Sequence, residues 1–211
     1  MKIETLWKYG GLSLILGSTL LTAYSVLFIT LLPYKEMRQD MTLAVMDPSW
    51  VPIAFVAFFG VVFMIFGFMA VYSKIHQESG VIGLLGFILI ETAYLLQACK
   101  VTWEICLYPV ITGNQGAIAL LRDHLIKNSQ LGQVFNLAAR STVLLGITLF
   151  CLALFRSREF PKSAGILIFA GAILYGLGPL LAIPVAISGI AILSAGCYIA
   201  GIKLIRGDLS A

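Results

Sequence analysis

The sequence predicts an all-α fold, a polytopic transmembrane bundle of six helices in a single domain, and three observations predict it. First, 60% of the 211 residues are hydrophobic and 11% are charged. A soluble domain carries roughly 25% charge, so this chain has too little polar surface to cover a globule in water, and its mean hydropathy is +0.98. Second, apolar runs fall at about 10–32, 51–72, 81–108, 133–155, 163–181 and 184–205. Each is close to the roughly 20 residues that one bilayer crossing needs. Third, Lys and Arg gather between the runs, where such residues set orientation and meet lipid headgroups. The net charge of +4 is modest, so the expected partner is the lipid bilayer and no nucleic acid.

The first run follows MKIETLWKYGG and stops at Pro33. It is too long for the apolar core of a signal peptide and no A-x-A site follows, so it is expected as a retained span. Ser18, Thr22 and Ser25 share a face, which suits helix packing or a polar wall toward the third span. The loop from Pro33 to Trp50 has Met37, Met41, Leu43 and Met46 at spacings that suit a short interfacial helix. The second run has no charge and is rich in Phe, which suits lipid or aromatic packing. SKIHQESG, 73–80, reads as a tight polar turn.

The third run, Val81 to Pro109, holds Glu91, Gln97, Lys100 and Glu104 in an apolar context. A charge at membrane depth costs a few kcal/mol or more unless a partner or water meets it. At about 100° per residue, Gln97, Lys100, Glu104 and Tyr108 form one stripe, with Glu91 on the opposite face. Lys100 and Glu104 are spaced to pair within the helix. Beyond it, residues 117–127 suit a second interfacial helix capped by Asn114, and the Asp123–His124 neighbours have the residue types of a base. The fourth run carries Asn136 and Arg140. An unpaired Arg there is costly, which leads to the expectation that Arg140 meets Glu104 with Lys100 alongside. The last two runs have no charge before Lys203, are joined by a very short hairpin, and are studded with glycines that allow close backbone approach.

Lys2, Lys8, Lys74, Arg156, Arg158, Lys162, Lys203 and Arg206 fall on one side of the bundle, against Lys35, Arg38, Arg122 and Lys127 on the other. That bias predicts both termini in the cytoplasm. The stretch FRSREFPKSAGILIFAGAILYGLG, with IETAYLLQ in the third run, resembles a family of uncharacterised six-span bacterial integral membrane proteins. The resemblance implies the six-span architecture and a bacterial plasma (inner) membrane, and it carries no activity.

These residues suggest a site in the outer half of the bundle that binds or transports a small molecule, lipid or ion, lined by Glu91, Gln97, Lys100, Glu104, Tyr108, Asn136 and Arg140. Alternatives are a charge network that only clamps the third helix to the fourth, or an accessory or scaffold subunit meeting a membrane partner or a second copy. An enzyme has less support. His76 and His124 are both in loops, where they cannot ligate haem at membrane depth. No zinc-ligand spacing occurs, and Cys99 and Cys106 are about 10 Å apart along one helix, too far for a redox pair. No metal, cofactor or catalytic residue is therefore expected, and the four cysteines are expected as free thiols.

Overall fold

Apolar runs flanked by charge or proline become helices, because a helix bonds every backbone group within its own segment. The computed structural model describes residues 3–181 and 183–207, apart from the side chains at 38, 179–181 and 183. Lys2 and the Arg38 side chain, both counted in the charge bias, lie outside the described residues. Among the described residues there is no strand. The elements are α1 (Ile3–Leu31), a 3-10 turn (Glu36–Arg38), α2 (Thr42–Val45), α3 (Trp50–Cys106), α4 (Tyr108–Thr112), α5 (Ala119–Arg122), α6 (Leu125–Asn128), α7 (Gln130–Arg156), α8 (Lys162–Leu181) and α9 (Ile183–Arg206). Four helical stretches are long and apolar enough to cross a membrane: Ile3–Leu31, Trp50–Thr112, Gln130–Arg156 and Pro184–Arg206. Lys162–Gly178 is a shorter apolar helix.

The expected turn at 73–80 is not a loop. Its polar residues stay helical, and the break is confined to Gly80, at φ 56 and ψ −153, inside the 57-residue α3. A straight helix of that length would run about 85 Å. Instead Tyr72 stacks on Phe87 at 4.4 Å with 6° between the rings, and Phe68 meets Tyr94 at 5.7 Å. Residues so far apart in sequence touch only if α3 folds back on itself at Gly80. Its two limbs, before and after that residue, lie antiparallel.

The same antiparallel pattern runs through the chain. α1 packs on the first limb of α3, the limbs on each other, the second limb on α7, α7 on α8 and α8 on α9, and α9 returns to α1. The six segments thus form a closed ring. Glycines set several seams. A Cβ on Gly86 would stand 2.5 Å from Phe150 N, and one on Gly146 2.8 Å from Ile90 N, so α3 and α7 are notched into each other's backbone. Gly171 and Gly189 do the same between α8 and α9. The hydroxyls of α1 turn to α9 and not to the third helix. Thr22 shares a hydrogen bond with Ser194 at 2.7 Å, and Ser194 Oγ donates to Ser18 O. The core holds Leu14, Phe68, Phe150, Ile168, Cys197 and Leu204, all buried.

The two ends of the ring differ. At one, the turn end, Trp7 Nε1 donates to Ser73 Oγ, and Lys74 lies over the Trp7 ring while pairing with Glu159 at 3.3 Å. At the other, the capped end, the loops fold inward. Leu32, Ala44, Val45, Trp50, Tyr108, Ile111 and Leu121 make a second apolar cluster that also takes in Met37 and Met41. The expected interfacial helices survive only as short pieces. Leu43 and Met46 point outward, and 117–127 splits into α5 and α6 at His124, which has φ 53. Asn114 caps a turn at Gly116 instead of a helix.

Candidate functional site

The second limb of α3 carries its polar stripe on the inner side of the ring. Trp103, Thr102, Cys99 and Leu95 are exposed, while Val101, Glu104 and Tyr108 are buried. Within the stripe Lys100 Nζ bonds Glu104 Oε1 at 2.8 Å, one helical turn apart as the spacing suggests. Trp50, the first residue of α3, donates its indole N–H to Glu104 O at 2.8 Å and stacks on Tyr108 at 6.5 Å. The capping cluster therefore sits directly against the ion pair.

Three tyrosines from three elements complete the surroundings. Tyr24 of α1, Tyr108 of α4 and Tyr175 of α8 all lie within electrostatic reach of Lys100 and Glu104. None of their hydroxyls bonds to another described residue, and none is both buried and unpartnered. The amide of Gln97, half-buried on the same stripe, is likewise unbonded among the described residues. Lys100 is half-buried, with 38% of its side chain accessible, against 5% for Glu104. The ammonium end of the pair is therefore the accessible one. These unbonded donors keep hydrogen-bonding capacity for water or a ligand.

The other expected site residues are elsewhere. Arg140 is exposed and makes no ion pair among the described residues. The expected Glu104–Arg140 bond is absent: Arg140 is exposed, whereas Glu104 is buried and pairs with Lys100. Asn136 donates to Gly132 O at 2.7 Å on its own helix. Glu91 stands off the stripe, half-buried, with Oε1 buried and unpartnered. In the loop, both Asp123 oxygens go to the Arg122 guanidinium at 3.0 and 3.4 Å. That contact holds Asp123 below the usual carboxylate range. Among the described residues no three His, Cys, Asp or Glu gather as a metal site would need. Cys99, Cys106, Cys151 and Cys197 are free thiols.

No family model, curated protein or solved structure matches the chain. The resemblance at residues 155–178 to six-span bacterial proteins therefore stands on those residues alone. Tyr24 and Tyr175 were missed from sequence. Their signal was a tyrosine in an otherwise apolar run, but which run faces the third helix is a matter of ring order, which no single helix reveals.

Proposed function

We propose that the chain crosses a membrane six times and binds a small polar molecule or ion in the space between Lys100 and the three tyrosines, as a carrier or receptor for it. The observation that supports this most is Lys100 itself: it is paired with a nearly sealed Glu104, yet more than a third of its side chain is open, and the unbonded hydroxyls of Tyr24, Tyr108 and Tyr175 are electrostatically coupled to the pair. A clamp would close over its charges, since open surface adds nothing to a structural pair. For six crossings, the support is the fold at Gly80, which turns one helix into two limbs of membrane length. Lys8, Arg156, Arg158, Lys162 and Arg206 at the turn end favour that end in the cytoplasm. The glycines that suggested a scaffold close seams within this chain, so a partner subunit draws no support from them.

A route to the space lies between α7 and α8. At the turn end Phe155 closes on Gly165, where a Cβ would stand 2.8 Å from its ring. Toward the capped end Leu144, Leu145, Tyr175 and Leu177 are exposed, and a Cβ on Gly176 would meet only Leu144 Cδ2, at 3.7 Å. The seam is loose where it borders the tyrosines. The test is to extract small molecules from the purified protein and from Lys100→Met, and to compare them by mass spectrometry. A species released by the wild type and missing from the variant is expected; identical extracts would sink the proposal.

A further inference from the structure

We propose that the species bound at this site is a monovalent anion of the small-carboxylate kind, and that it is taken up with one proton that comes to rest on Glu104. The inference rests on the binding-site reading above and names its ligand class. It starts from the inequality of the ion pair. Lys100 is 38% accessible and Glu104 5%, so a molecule in the space meets the ammonium and not the carboxylate. Tyr24, Tyr108 and Tyr175 are electrostatically coupled to that pair, and Gln97 lies about one turn before Lys100 on the same helix. All of these can donate hydrogen bonds. The one group that can only accept is the nearly sealed Glu104 carboxylate. A site whose open groups donate while its fixed acceptor is hidden selects an anion.

Charge balance supplies the proton. Lys100 and Glu104 are together neutral, and adding an anion leaves one negative charge in a medium that penalises it by several kcal/mol. Among the described residues no second cation pairs with Lys100 or Glu104. α1 contributes Tyr24, α4 Tyr108 and α8 Tyr175, while the first limb of α3 brings Trp50, which does not titrate. α9 holds its charges, Lys203 and Arg206, in its last turn at the far end, and Arg140 of α7 is exposed. Among the described groups at the pair, Glu104 is the one that can restore neutrality. The anion takes over the Nζ–H donors of Lys100, the Nζ–Oε1 hydrogen bond breaks, and the Glu104 carboxylate gains a proton from solvent to become a carboxylic acid. One anion and one proton go in, nothing is oxidised or reduced, and the occupied site stays neutral.

The test uses the full chain in nanodiscs of uncharged lipid with five probes: acetate, benzoate, glycine betaine, tetramethylammonium and glucose. Calorimetry in two buffers of different ionisation heat counts the protons. Acetate or benzoate is expected to bind with uptake of about one proton, and its affinity to fall about tenfold per pH unit as pH rises. Lys100→Met should abolish binding. Glu104→Gln should keep it, with no proton uptake and a flat pH profile, which a purely structural Glu104 would not produce. If that variant does not fold, the wild-type proton count and pH slope decide alone. Anion binding without proton uptake overturns the coupling. Binding of betaine, tetramethylammonium or glucose in place of the anions overturns the ligand class but leaves the site standing. If none of the five binds, the site falls as well.

Discussion

Lys100 and Glu104 are the pair that their spacing suggested, yet they are not equivalent partners. Glu104 is nearly sealed, whereas Lys100 reaches open space. Lys100→Leu would leave a nearly sealed carboxylate without its partner, and it is expected to lower stability by about 2–3 kcal/mol. Glu104→Leu leaves an ammonium that can still be solvated, so its loss should be nearer about 1 kcal/mol. The double variant should be more stable than Lys100→Leu alone, because a stranded charge is worse than none. Thermal unfolding in detergent measures all three, and equal losses for the two single variants would mean that Lys100 does not reach water. Arg140→Leu should cost nothing measurable, since Arg140 is exposed and holds no ion pair among the described residues. A pair one turn apart on a helix is local information and was legible. The partner of Glu104 on another helix depends on how that helix is rotated, and depth alone does not give it.

The later helices follow the apolar runs to within a few residues, but α1 begins at Ile3, about seven residues before its run, and the first limb of α3 continues past 72 up to Gly80. What failed was the turn at 73–80. Ser73, Lys74, His76, Gln77 and Glu78 are polar, but polarity marks exposure and not backbone shape, and each sits comfortably in the last turns of a helix limb. Only Gly80 takes a conformation that side chains avoid. A Cβ there would touch nothing within 4 Å, so any cost of Gly80→Ala comes from the backbone alone. The expected loss is about 1–3 kcal/mol. Gly113→Ala, at φ −73 with only ordinary contacts, should change stability by under about 0.5 kcal/mol. Comparable unfolding temperatures for the two variants would show that the fold of α3 does not depend on the glycine. At the α3–α7 seam the cause is space instead. Gly146→Leu should cost more than either, because its side chain would enter the backbone of the facing helix at Ile90.

For the molecule as a whole, ring order decides which side chains share the interior. α1 and α8 are far apart in sequence, yet Tyr24 and Tyr175 are both electrostatically coupled to Lys100, because six antiparallel segments close on themselves. Five of the six seams are closed by glycine notches, stacked rings or shared hydroxyls. The sixth, between α7 and α8, tightens at Gly165 and loosens toward Gly176. If that loose half admits solutes, then filling it should shut the space without touching the polar residues inside. Gly176→Phe does this, as a Cβ at Gly176 has open room on all sides but one. The reporter is Gln97→Cys, on the stripe beside Lys100, in a chain whose exposed Cys99 and Cys106 are replaced by Ser. A small water-soluble methanethiosulfonate should label it readily. With Gly176→Phe added, the labelling rate should fall by about tenfold or more, equivalent to roughly 1.4 kcal/mol on the barrier. Gly113→Phe, at a loop glycine outside the seam, should leave the rate unchanged. An unaltered rate with the seam filled would mean that solutes reach Lys100 through the cap, and the loops at 33–49 and 107–129 would then be the gate.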